Sequence, residues 1–297
     1  SSVTVEFRSP RTPGDQMNTI QPFISELFSN ALREVVSNRL RETFLSGNIP
    51  VKSLDVEYFG SAASAGDERF LVSVLTSRNQ LMPASLAVAS ILSEICSKGI
   101  GIEEYKVARN SVLNGCLKAS TNDAIVRQCV SAYLYGSDLA SPAAKARFFL
   151  SRNMSAKAET DLFNAYASAL LSGMETPSVT WAGNADDYDE WFWPVAFESA
   201  GRVVSALEKP VYHWKAGTKD TLAFWSEKNK VKIKSVAAEP VSGGEMWTFS
   251  NGMKVIYKKM NTAGRFSYSL MIKGGFSTVR NLRRGEGAFF SDMFGLC

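Results

Sequence analysis

The 297-residue chain predicts an α+β fold: a mostly antiparallel sheet with helices packed on one face, followed by a partial second unit that opens with strands. Three observations carry this. Hydrophobic residues make up 45% of the chain and charged residues 21%, close to the ordinary globular mix, so a real core can form. Residues 54–59 and 68–75 alternate in polarity and flank the small-residue run GSAASAG at 60–66, the pattern of a hairpin. Around that hairpin, apolar residues recur at helical rather than strand spacing.

Residues 3–7 alternate and read as the first strand, broken by Pro10, Pro13 and Gly14. A long helix is expected from about Thr19 to Phe44. Pro22 is tolerated in its first turn, and Ile24, Leu27, Phe28, Ala31 and Val35 share one stripe. Gly47 and Pro50 end it. Four helices then follow the hairpin. The first starts near Pro83, buries Val88, Ile91, Leu92 and Ile95, and stops at Gly99. The second follows Gly101, with Glu103 and Glu104 complementing the dipole of its first turn. Thr121 or Asn122 caps the third, which carries Ile125, Cys129 and Tyr133 on one face before Gly136. Leu162, Tyr166 and Ala169 mark the fourth, ended by Gly173. A last strand at 178–182 completes a lobe spanning 1–183.

Composition changes after Gly183. Residues 184–194 are acidic and aromatic, and 184–244 reads as a linker with a short helix at 197–207 and a basic strand at 230–236. Its tryptophans read as pins against a domain surface rather than ligand-stacking groups. A second unit, 245–297, opens with MWTFSNGMKVIY, where Asn251-Gly252 between alternating hydrophobics signals a hairpin. A strand at 265–272, Gly274-Gly275 and an apolar helix follow, and the chain stops inside that helix. The Ser-Ser start just before a strand reads in the same way, as part of something longer.

Little chemistry stands out. Net charge is +4, and residues 226–297 hold 12 Lys/Arg against 5 Asp/Glu. The lysines of 230–234 alternate with apolar residues, as on the wet side of an edge strand, and no aromatic-rich basic motif accompanies them, so nucleic acid is not expected. Cys96, Cys116, Cys129 and Cys297 form no C-x-x-C pair and read as buried free thiols. His213 is the single histidine, too few for a His-His metal pair, and reads as structural. The run at 62–66 mimics a nucleophile elbow but joins two strands, which excludes it. No P-loop or dinucleotide fingerprint is present. The carboxylates of 186–190 lack calcium-loop spacing and read as a solvated loop. The charge-free run 79–93 is too short to cross a bilayer, and residues 1–20 show no signal-peptide core.

The second unit resembles the M16 peptidases, the insulinase, pitrilysin and mitochondrial processing peptidase group. WTFSNGMKVI at 247–256 is similar to the opening strands of their lobes, and GEGAFFSDMF at 285–294 resembles their G-x-A-H-F-L-E-H-M helix. In that helix two histidines hold zinc and the glutamate is the general base. Here the corresponding positions are Ala288, Ser291 and Asp292. A methyl group cannot coordinate, a serine hydroxyl has no useful basicity near neutral pH, and one aspartate is not a zinc site. Residues 1–183 resemble the lobe that follows the zinc-bearing one, through SNRLRE at 37–42, GIEEYKVAR at 101–109 and MSAKAETDL at 154–162. Substrate-gripping Arg and Tyr positions of the family fall on Leu45 and Lys52.

The resemblance implies a catalytically inert region, with no cofactor of its own and zinc held upstream in an active lobe. The rival reading is a binding or scaffold domain of a wholly inactive homologue. It also implies other lobes of the same chain as partners, an extended peptide as possible substrate, and by analogy a bacterial periplasm or envelope.

Overall fold

The computed structural model describes residues 1–62, 66–118, 120–172, 177–183, 192–215, 231–259 and 269. It holds two compact units, Ser1–Asn229 and Lys230–Cys297. In the first, strands β1 (Ser2–Ser9), β2 (Val51–Phe59), β3 (Glu68–Thr76) and β4 (Ser178–Ala182) form an antiparallel sheet of order β2-β3-β1-β4. The expected hairpin is β2–β3. Pairing Val5 with Val72 and Val179, and Val72 with Val56, aligns one apolar row across all four strands. The side-chain period of two then fixes the faces. Every buried strand residue lies on that parity: Val3, Val5 and Phe7 on β1, and Glu68, Phe70, Val72, Val74 and Thr76 on β3.

The helices cover that face, joining it in a single apolar core. Helix α1 (Ile20–Ser46) starts at Thr19, whose hydroxyl accepts from the Gln21 N–H, and buries Leu27, Phe28, Ala31, Leu32, Val35, Val36 and Leu40. Helices α2 (Leu81–Lys98), α3 (Ile102–Leu117), α4 (Asn122–Tyr135), α5 (Pro142–Ser151) and α6 (Ala156–Ser172) follow β3. Aromatic edges tie three of them together: Phe28 of α1 meets Phe163 of α6 at 5.7 Å and 87°, and Tyr105 of α3 meets Phe163 at 4.8 Å. Gly99 turns α2 into α3 with φ +69, and a Cβ there would come within 2.6 Å of the Asn164 amide. That amide accepts from the Ile100 N–H and donates to its carbonyl, stapling the turn to α6. The helical run Arg78–Lys98 has the length and apolar composition of a membrane span, yet 56% of its most apolar window is buried within the domain.

Among the described residues, five α-helices therefore stand between β3 and β4, not four. The addition is α5, signalled by Ser141, which caps the Ala144 N–H, and by Pro142 in the first turn. Helix α4 forms as expected but buries none of its residues, and Ile125, Val126, Val130, Tyr133 and Leu134 are exposed. Its ends account for it: Thr121 caps the Ala124 N–H, Asp123 pairs with Arg127 one turn on, and Gly136 closes it in the left-handed conformation.

The stretch read as a linker holds helix α7 (Phe192–Ala206), which packs along α2 within the first unit. Val204 is buried, Phe197 meets the Trp181 ring edge-on at 6.3 Å, and the Lys98 ammonium donates to the Val204 carbonyl near the helix end. Gly201 allows the approach, since a Cβ there would meet the Ser93 hydroxyl at 2.6 Å.

In the second unit, β5 (Ile233–Glu239), β6 (Gly244–Phe249) and β7 (Lys254–Tyr257) form an antiparallel meander. The Asn251-Gly252 turn is as expected: Gly252 has φ +85 and the Asn251 side chain accepts from the Met253 N–H. Glu239 closes the other turn by accepting from the Val241 and Ser242 N–H groups, and hydrogen bonding to Ser242 holds its carboxyl below the usual range. The strand expected at 265–272, Ser269 apart, and the apolar helix beyond it lie outside the described residues.

Gly201 generates a prediction. Gly201→Ala is expected to cost little, because the Ser93 hydroxyl can rotate away. Gly201→Leu has no such escape and should lower stability by roughly 1–3 kcal/mol, the usual cost of overpacking, read by urea unfolding.

Candidate functional site

The opposite face of the first sheet carries a different chemistry. Its residues form rows across the strands: Asp55, Ser73, Thr4 and Thr180; Glu57, Leu71, Glu6 and Ser178; Ser53, Leu75, Ser2 and Ala182. None of these side chains is buried. The Thr4 and Ser73 hydroxyls hydrogen-bond at 3.1 Å. Acidic groups gather at Asp55, Glu57 and Glu6. The basic end has Arg69, whose guanidinium lies 5.3 Å from the centre of the Phe59 ring, and Arg8, which pairs with Glu6 at 2.8 Å. Hydroxyls and carboxylates on a pleated surface can meet the donors and acceptors of an extended polypeptide.

The two edges differ. β2 carries Lys52, Asp55 and Glu57 and a register irregularity between Val51 and Ser53, devices that blunt strand pairing. β4, with the sequence SVTWA, carries no charge and no bulge, and among the described residues it pairs with β1 alone.

Two buried polar clusters hold this sheet and its helices in place. At one end of the sheet Glu68 accepts from the Tyr58 hydroxyl at 2.8 Å, the Thr12 hydroxyl at 3.1 Å and the Ser61 N–H at 3.3 Å, and also from the Ser61 hydroxyl. These donors offset its desolvation. Nearby, the Tyr166 and Ser29 hydroxyls are 2.5 Å apart. Burial pushes the Tyr166 phenol up to about 12, and raises Tyr58 and Tyr105 as well.

The second cluster lies among α1, α2 and α3. Arg39 donates from Nε and Nη2 to both oxygens of Glu104, each at 2.8 Å, and from Nη1 to Glu94 at 3.1 Å. All three side chains are buried. Arg39 and Glu104 belong to the SNRLRE and GIEEYKVAR stretches, and Glu94 lies outside any quoted motif. The excess anion is met by backbone: Val211 N–H donates to Glu94 at 2.7 Å and Tyr212 N–H at 3.2 Å. The Tyr212 ring covers Arg39 at 4.6 Å, and its hydroxyl donates to Glu42 at 2.6 Å.

Among the described residues, no three His, Cys, Asp or Glu side chains converge as a metal site. Ala288, Ser291 and Asp292 lie outside the described residues. Leu45 is 76% exposed beyond the core, Lys52 is exposed on β2, and His213 is exposed. Cys96 and Cys116 are half-buried free thiols, and burial pushes the Cys116 thiol up. Cys129 corrects the buried reading: it is exposed, because the helix that carries it covers nothing. Cys297 lies outside the described residues.

No family model and no curated protein matches the chain. Solved structures do. The periplasmic protease PqqL from Escherichia coli superposes with a TM-score of 0.53 at 16% identity, over 87% of this chain and 28% of that one. A predicted insulinase family protease from Yersinia pestis gives 0.51 at 14%, over 69% and 43%. A mutant of the ferredoxin protease FusC, in complex with Arabidopsis ferredoxin, gives 0.53 at 13%, over 89% and 29%. The fold is thus the α+β architecture of M16 peptidase lobes. The chain spans less than half the length of each of these proteins.

Two predictions come from the clusters. Arg39→Ala leaves two buried carboxylates without their cation and should lower stability by about 3–5 kcal/mol in urea unfolding, with Arg39→Lys failing to restore it because the bidentate fork is lost. Tyr166 is neutral-favoured in the folded state, so its contribution is complete below about pH 10 and disappears as pH rises towards 12. Stability should fall between pH 10 and 12, and Tyr166→Phe should flatten that fall.

Proposed function

We propose that this chain is a catalytically inert region of a larger M16-type protein, and that its uncovered sheet face forms part of a wall facing extended polypeptide. The observation that carries the reading is the division of the sheet. One face is sealed by helices, and the other presents rows of Thr, Ser, Asp and Glu with no described helix over them. Such a face suits a chamber in which substrate is held by shape and backbone hydrogen bonding. The M16-like fold and the zinc-incompatible residues at 288, 291 and 292 support a role beside the chemistry rather than in it. Zinc then belongs to a lobe outside this sequence, and other lobes of the same chain are the natural partners. A wholly inactive, scaffold-type parent would use the same face in the same way.

The uncharged β4 edge is where an extended segment would add as a further strand, because main-chain hydrogen bonds read extension without reading sequence. Fluorescein-labelled, reduced and carboxymethylated polypeptide should bind the chain, and Thr180→Pro should weaken binding at least tenfold while Lys52→Ala leaves it intact. Absence of binding, or equal binding by Thr180→Pro, overturns the role of this edge. Added zinc should leave the thermal unfolding midpoint of the chain unchanged, and a stoichiometric stabilising zinc would contradict the inert assignment.

A further inference from the structure

Helix α4 sits on the first unit with its amphipathic character reversed. The stripe it turns inward is small and polar: Ala124, Gln128, Ser131, Ala132 and Tyr135 are its half-buried residues, three or four positions apart along one side. The contacts that seat it are polar as well. The Gln128 amide donates to the Asp138 and Ala140 carbonyls at 3.3 and 2.8 Å, and the Arg11 guanidinium donates to the Tyr135 carbonyl at 2.8 Å. The opposite stripe holds Ile125, Val126, Cys129, Val130, Tyr133 and Leu134, every one exposed, Tyr133 to 89%. A surface helix normally turns its apolar stripe to the core. With 14 residues, α4 is of a length that is marginal in water without tertiary packing of such a stripe.

The apolar surface continues past the helix. Leu139 lies between the two residues whose carbonyls hold Gln128 and is 67% exposed, and Phe148, 54% exposed, lines a groove together with Asp138 and Ala140. The exposed parts of the five large apolar side chains of α4 come to about 600 Å², the upper end for the largest patch on a monomer. Leu139 and Phe148 bring this to roughly 900 Å², and one partner of a standard interface contributes about 800 Å².

We propose that this face is an interface between two copies of the chain, with α4 packed antiparallel against its own image. Two features select a second copy. The patch itself is uncharged, and the charges beside it, Asp123 with Arg127 and Asp138 with Lys145, are already paired, so a twofold-related copy meets no unbalanced like charge. The apolar positions are also symmetric about the point between Cys129 and Val130. A twofold axis there sets Ile125 against Leu134, Val126 against Tyr133 and Cys129 against Val130, the self-complementarity that an isologous contact requires. This inference stands apart from the peptide-facing role of the sheet.

Sedimentation velocity on the full chain tests it. The wild type should be a dimer at about 100 μM, above the Kd of a micromolar interface. Val130→Glu and Tyr133→Glu replace exposed side chains, so each should keep the wild-type circular dichroism and Tm yet sediment as a monomer. Val203→Glu, an exposed apolar position on α7, should stay dimeric. Because the axis passes beside Cys129, and packed helices lie about 8–10 Å apart, a short bismaleimide should join two wild-type chains and fail to join Cys129→Ser. That cross-link decides the matter if either glutamate variant does not fold. A monomeric wild type overturns the second copy and leaves the face to a partner of different sequence. A dimer untouched by both glutamate variants, one lost equally in Val203→Glu, or a cross-link that survives Cys129→Ser places the contact elsewhere and overturns it too.

Discussion

A guanidinium buried among three helices is the constraint on which the helical layer turns. Arg39 lies on α1, and its fork spans Glu104 of α3 and Glu94 of α2, so one planar group sets the mutual rotation of three helices. Such a group cannot be left half-satisfied in a low-dielectric interior, because any unpaired charge costs several kcal/mol. The pairing geometry is therefore strict where apolar packing alone would tolerate small slips. It also leaves one carboxylate in excess, which accepts from the Val211 and Tyr212 N–H groups. A core ion cluster thus fixes the backbone that follows α7.

The sheet is governed by a different rule. The period of two places Val3, Val5, Phe7 and their partners against the helices and leaves Thr4, Glu6 and Ser73 on the other side. Apolar burial stabilises one face, and the other carries hydroxyls and carboxylates. The charged, bulged β2 and the plain β4 show that the two edges are unequal in the same sense. Glu68 completes the arrangement by tying the β2–β3 hairpin to the segment entering α1 through Tyr58, Ser61 and Thr12.

Much of this was legible in advance where local physics dominates. The β2–β3 hairpin, the stripe of α1, the Asn251-Gly252 turn, the acidic first turn of α3 and the cap of α4 follow from residue type and spacing over a few positions. Helix α5 was legible too, through Ser141 and Pro142, but its short apolar stripe hid it. The burial of α4 was not legible: Ile125, Cys129 and Tyr133 make a proper amphipathic face, and only packing decides whether anything covers it. The same limit applies to α7, whose docking depends on a glycine meeting Ser93 more than a hundred positions earlier.

By itself the sequence determined the α+β class and the two apolar periods, because each depends on residue identity or short-range spacing. Tertiary structure alone decided that Arg39, Glu94 and Glu104 meet and that Glu94 accepts from the Val211 and Tyr212 N–H groups. Those outcomes join residues 55 to 118 positions apart, and charge complementarity at such separations has no signature until folding brings the groups within hydrogen-bond reach.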